Sequence, residues 1–231
     1  MEIAILQTDS VSPALRLKYG DYPDMFENLL VKRSTTPINF TIIDCHRMSY
    51  PRELSSDAYI ITGSRSSVYE DKPWIFALAR FVEKVVRSDR KLIGICFGHQ
   101  LIAHFFGGKT EKVGWVLGTQ KIDILESFEN RKNLDQEFFL LSTHRDQVTC
   151  LPDGARLVAR SENCGNSGYA IGRQILTLQS HPEFSKDYFR ALIEARRKDL
   201  DPDIFEIGSE SLTIDTDQPK AADWILNFLE H

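Results

Sequence analysis

The chain has 231 residues, 42% hydrophobic and 26% charged, enough to bury a full core without disulfide or metal staples. A formal net charge of -5 excludes a nucleic-acid footprint built on excess Lys and Arg. The longest apolar runs, Leu92–Cys96 and Leu101–Phe106, fall far short of the ~20 residues that cross a bilayer. Short strand-like runs at Glu2–Gln7, Phe40–Asp44, Ala58–Thr62 and Lys91–Cys96 alternate with helical patterns at Tyr22–Arg33, Trp74–Val86 and Gly98–Phe106. That rhythm predicts a parallel sheet covered by helices. The second half has a different pattern. Thr119–Leu125, Glu137–Thr143, Arg156–Arg160, Tyr169–Gly172 and Gln174–Ser180 read as strands with little helix between them. Two helices, Lys186–Leu200 and Ala221–Leu229, close the chain. No repeat or linker divides it, so residues 1–231 read as one α/β domain. Its expected architecture is a mostly parallel twisted sheet flanked by helices, with an antiparallel extension. Glu2 stands where a signal peptide wants a base, and four cysteines are too few for a disulfide framework at this length; both set the expectation of reduced thiols in the cytoplasm.

The informative stretch is Gly94-Ile95-Cys96-Phe97-Gly98, where an apolar strand runs into an amphipathic helix. It is the cysteine version of the G-x-S-x-G nucleophile elbow. A nucleophile on so sharp a turn takes a strained backbone, and its neighbours two residues away must lack bulk for strand and helix to approach. The sulfur then projects at a helix N-terminus, where the macrodipole favours thiolate. A buried structural cysteine in a glycine-flanked turn is the competing reading.

A thiolate needs a base, and the base needs an orienting acceptor. Of the six histidines, His181 ends the apolar run Gln174–Ser180 and is followed by Pro182 and Glu183. Catalytic groups of doubly wound sheets collect at strand carboxyl ends, and Cys96 and His181 both sit at such ends. Proline stops the strand there and lets Glu183 return to accept a hydrogen bond from the imidazole.

Gly94–Gln100 together with Ser180-His181-Pro182-Glu183-Phe184 resembles the class I, triad-type glutamine amidotransferases. Within that family the chain is most similar to stand-alone proteins like the glutaminase half of GMP synthase, and to plant γ-glutamyl peptidases. The resemblance implies a flavodoxin-like fold and hydrolysis of a γ-carboxamide through a γ-glutamyl thioester, with ammonia passed to an acceptor enzyme. It makes Cys96 the nucleophile, His181 the general base and acid, and Glu183 the residue that orients the imidazole. Gln100 matches a position lining the glutamine pocket. Backbone N–H groups of Ser64 and Phe97 would hold the oxyanion, a donor pair worth roughly 3–4 kcal/mol per donor. Gly114, Trp115 and His144 fall in segments that meet the substrate's amino-acid end. The chain departs from the family at Gly63-Ser64-Arg65, where many relatives have Gly-Gly-Pro, so the position of this loop is open.

Other patterns fail on inspection. Gly108-Lys109-Thr110 lacks the first glycine of a phosphate loop, which would be Ala103, and follows a helix. His144-Arg145-Asp146 lacks the metal-binding Asn of a kinase loop, since position 151 is Leu151. Cys96 and His99 have no second ligand pair, so neither metal nor cofactor is expected. Arg196-Arg197-Lys198 reads as a solvated helix face. The functional readings are an enzyme acting on a small γ-glutamyl substrate, either glutamine with a separate acceptor synthetase subunit or a larger γ-glutamyl peptide or amine, and a catalytically silent binding relative. A DJ-1-type protein shares the elbow but lacks a His-Pro-Glu near its end. No nucleic-acid or membrane partner is expected, and no ATP-pyrophosphatase signature is present.

Overall fold

Strand β1 (Glu2–Gln7) buries Ile3, Ala4, Ile5 and Leu6 in succession, the unbroken apolar run of a strand covered on both faces. The computed structural model describes residues 1–126 and 137–231. After β1 come α1 (Pro13–Tyr19), α2 (Tyr22–Val31), β2 (Asn39–Asp44), β3 (Ala58–Ile61), α3 (Pro73–Val86), β4 (Lys91–Ile95) and α4 (Phe97–Phe105). The second half contributes β5 (Lys109–Ile124), β6 (Glu137–Cys150), β7 (Ala155–Ser161), β8 (Cys164–Ile171), β9 (Ile175–Leu178), α5 (Lys186–Ala195), α6 (Pro202–Glu210) and α7 (Gln218–Glu230).

Among the described residues nine strands form one sheet in the order β2-β1-β3-β4-β9-β8-β7-β5-β6. The pairings from β2 through β9 are parallel and those from β9 through β6 antiparallel, so the extension is as large as the parallel part it extends. Alternation of side chains splits the core into two layers. Ile3, Ile5, Ile60, Ile93 and Ile95 face α2 and α7, where Phe26, Leu30, Trp224 and Phe228 cover them. Leu6, Tyr59, Ile61 and Leu92 face α3 and α4, packing on Ile75, Leu78, Val82, Leu101 and Ile102. A third cluster, with Tyr22, Leu141, Phe184, Tyr188 and Leu192, sits at the carboxyl edge under α5.

Five elements differ from the sequence-based expectation. Helices α1 and α6 have no counterpart in that expectation: α1 fully buries no residue and α6 only Gly208, while Leu15, Tyr19, Ile204 and Phe205 pack half-buried on the third cluster. Each starts on a proline in its first turn, the one local signal present. The helix expected over 186–200 stops at Ala195, because a short turn at Arg197–Asp199 and then Pro202 redirect the chain. Strands β5 and β6 form a long hairpin of which the sequence pattern reports only Thr119–Leu125 and Glu137–Thr143; the register shift between Lys112 and Val116, around Gly114 at φ 148°, hides the first part of β5.

Candidate active site

The carboxyl ends of β1, β3, β4 and β9 deliver Thr8, Gly63, Cys96 and His181 to one edge of the sheet. Cys96 has φ 50° and ψ -97°, a strained conformation for a residue with a side chain, and it immediately precedes α4. Its N–H donates to the Leu178 carbonyl at 2.9 Å and its own carbonyl accepts from Gln100 at 3.0 Å, which fixes the turn from both sides. The flanking glycines are required by contact. A Cβ on Gly94 would stand 2.7 Å from the Gly98 carbonyl, and one on Gly98 would stand 2.7 Å from the Ile61 carbonyl.

His181 is held at four places. Its N–H donates to the Leu141 carbonyl of β6 at 2.8 Å, and its ring stacks on Phe184 with centroids 4.0 Å apart and 4° between planes. Nδ1 lies 2.7 Å from Glu183 Oε1. A carboxylate can only accept, so Nδ1 carries the proton and Nε2 is the nitrogen left for Cys96. Gly63 closes the remaining side. Burial disfavours the imidazolium, but the Glu183 carboxylate and then Cys96 outweigh it and push the His181 pKa up to about 10. His181 and Glu183 are both buried.

These groups open onto a cleft of about 270 Å³. Of the residues expected at the site, Cys96, His181, Ser64, Gln100, Trp115 and His144 line this cleft. Glu183 stands behind His181, and the Phe97 side chain turns away to pack on Trp74, leaving only its backbone at the head of α4. A Cβ on Gly114 would meet nothing within 4 Å, so Gly114 stands in open space and not in the cleft wall. The Gln100 amide donates to the Asp146 carbonyl at 2.8 Å and to Gln179 Oε1 at 3.1 Å, tying α4 to β6. His144 is buried with neither ring nitrogen hydrogen-bonded, and burial, followed by the charge of His181, drops its pKa to about 3. It is therefore neutral at pH 7 and lacks the carboxylate partner that His181 has.

The contacts that support the site had no sequence signal. Phe184 and Tyr22 stack at 5.9 Å beneath the histidine, and Thr8 and Asp9 hold the loop after β3. Each works through a contact distant in sequence. Asp146, in β6, accepts hydrogen bonds from Ser67 and Tyr69 and so closes that loop against the hairpin. Among the described residues no group of three or more His, Cys, Asp or Glu is placed to hold a metal ion.

The structure thus places a strained cysteine at a strand-to-helix elbow beside a His–Glu pair. Residues 22–196 match the profile of glutamine amidotransferase class-I. The chain belongs to that family. It is 31% identical over 214 residues to a glutamine amidotransferase-like protein of Schizosaccharomyces pombe, covering 84% of each chain. Gamma-glutamyl peptidase 4 of Arabidopsis thaliana is 31% identical over 186 residues, 76% of this chain and 73% of that one. A solved glutamine amidotransferase structure from Thermotoga maritima superposes with a TM-score of 0.73 at 19% identity, covering 99% of both chains, and so shares the fold.

Proposed function

We propose that the chain hydrolyses a γ-glutamyl amide bond through a thioester on Cys96. The observation that carries this reading is the buried 2.7 Å contact of His181 Nδ1 with Glu183, which leaves Nε2 for the cysteine. The Cys96 thiolate attacks the γ-carbonyl carbon, and the carbonyl electron pair moves to oxygen. Backbone N–H groups of Ser64 and Phe97 receive that oxyanion; Phe97 is the first residue of α4, where N–H groups lack helical partners. The His181 imidazolium gives its Nε2 proton to the leaving nitrogen, the C–N bond breaks, and the γ-glutamyl thioester remains. Water then attacks the thioester as His181 takes its proton, a second oxyanion forms and collapses, and glutamate leaves with the Cys96 thiolate restored. Glu183 holds the ring in the tautomer required.

The cleft is also lined by Trp115, Arg145 and Arg196, and Arg145 lies over the Trp115 ring at 5.1 Å. That breadth, together with the γ-glutamyl peptidase relatives, favours a leaving group larger than ammonia. The amidotransferase relatives favour glutamine, with ammonia passed to a separate acceptor subunit. Assaying glutamine, glutathione and γ-glutamyl-p-nitroanilide side by side separates the two. A peptide or amine preferred a hundredfold in kcat/KM, about 2.7 kcal/mol in transition-state binding, establishes the hydrolase. Preference for glutamine establishes the amidotransferase. Absence of turnover on all three overturns the proposal and leaves a binding role.

A further inference from the structure

Residues 62–72, the loop after β3, contain no proline, and its shape is set from β1. Two consecutive residues at the end of β1 hold the peptides on either side of Ser64. Thr8 Oγ1 donates to the Gly63 carbonyl at 2.9 Å. The Ser64 N–H belongs to that same peptide and, in a trans peptide, points away from its carbonyl, hence away from Thr8. On the far side, Asp9 grips Arg65 at three points: Oδ2 accepts from the Arg65 backbone N–H at 2.9 Å and from Nε at 2.8 Å, and Oδ1 accepts from Nη2 at 2.8 Å. The Asp9 side chain is 12% exposed and that of Arg65 65% exposed. Burial works against the Asp9 carboxylate, yet the bonds from Arg65 outweigh it and hold its pKa below the usual value. Asp9 does not line the cleft, whereas Ser64 and Arg65 do.

Resting on the hydrolytic reading above, we infer that Asp9 is a positioning residue for the oxyanion donor: its three-point grip on Arg65 fixes the Ser64 peptide, with Thr8 holding the other side. The rigidity comes from β1 instead of from a proline in the loop itself. A donor fixed in advance contributes most where negative charge develops, so loss of the grip lowers kcat far more than it weakens substrate binding.

The test compares the full wild-type chain with Asp9→Ala, Asp9→Asn and Arg65→Ala on two reactions. One is turnover of the best γ-glutamyl substrate among glutamine, glutathione and γ-glutamyl-p-nitroanilide. The other is alkylation of Cys96 by iodoacetamide, in which the sulfur displaces iodide and no oxyanion forms. Asp9→Ala is expected to lower kcat at least tenfold, with KM and the alkylation rate within twofold of wild type. Asp9→Asn keeps an acceptor for the Arg65 N–H and loses less. Arg65→Ala keeps the bond from Asp9 to the backbone and also loses less. Unchanged kcat in Asp9→Ala, or an equal fall in turnover and alkylation, overturns the inference while leaving the hydrolytic reading in place. A wild type that turns over none of the three substrates overturns that reading and the inference with it.

Discussion

A Cβ placed on Gly63 would stand 2.8 Å from Cε1 of His181 and 3.6 Å from the Cys96 Cβ. The glycine at the end of β3 is therefore the wall against which the imidazole rests, and its need is for space, not for an unusual backbone angle. Gly63→Ala forces the ring to move, and Phe184, stacked on its face at 4.0 Å, leaves it little room. Turnover is expected to fall at least a hundredfold, for a stability loss of roughly 1–3 kcal/mol, as overpacking usually costs. Steady-state assays with urea unfolding check the pair of values. A fully active Gly63→Ala chain would show that the position of His181 is not what matters.

The elbow predicts an inverted order of stabilities. Cys96 holds φ 50° only because strand and helix enclose it, and a residue with a Cβ there is strained. Glycine relieves the strain, so Cys96→Gly should unfold at higher urea than Cys96→Ala, by about 1 kcal/mol after the greater flexibility of its unfolded chain is allowed for. Equal stabilities, or Ala the higher, would refute a strained nucleophile.

Selective labelling follows from the four thiols. Burial pushes Cys45 up to about 12 and Cys164 up to about 11, so neither supplies thiolate at neutral pH. Cys150 is exposed, but it is the last residue of β6 and does not line the cleft. An electrophilic glutamine analogue is expected to modify Cys96 first, as read by peptide mass spectrometry. Modification of Cys150 at an equal rate would mean that the cleft does not recognise the glutamyl group. Cys96→Ser should fold and show no turnover.

The two cleft histidines separate by substitution. His181→Ala is expected to cost nearly as much as loss of Cys96, on the order of 10⁴ in kcat, and Glu183→Gln somewhat less. His144→Asn should leave the pH dependence of kcat/KM unchanged, because a histidine with a pKa of about 3 does not titrate in the working range. A shifted profile in His144→Asn, with activity kept in His181→Ala, would transfer the base role to His144.

What the sequence made legible was whatever rests on local pattern. The buried strands announced themselves by apolar runs, the elbow by two glycines around Cys96, and the His181–Glu183 pair by the proline between them. Helices α1 and α6 stayed hidden because they are short, seven and nine residues, and only half-bury their apolar side chains. The support of the site stayed hidden for another reason. Thr8 with Gly63, Asp9 with Arg65, Ser67 with Asp146 and Leu141 with His181 are pairs joined only by strand order, and no periodicity in one chain reports them. The family resemblance places Gly114 at the substrate's amino-acid end, but the register shift in β5 leaves it in open space.

Stability should peak near pH 6.5, because the three buried histidines titrate in opposite directions. His181 has an ordinary value of 6.5 and about 10 when folded. A raised folded pKa means the folded state holds the proton more tightly, so its contribution is complete below pH 6.5 and is lost as pH rises toward 10. His99 and His144 drop from 6.5 to about 3, each chiefly through burial. The unfolded chain takes up their protons first, so their contribution is present above pH 6.5 and is lost as pH falls toward 3. One group acts on the alkaline side and two on the acid side, each with a limiting slope of about 1.4 kcal/mol per pH unit. The acid limb should therefore be about twice as steep as the alkaline limb. Urea unfolding from pH 4 to 9 measures both limbs, and His144→Asn should roughly halve the acid slope while leaving the alkaline one intact. A flat profile between pH 6.5 and 9 would show that the folded chain holds no net extra proton in that range.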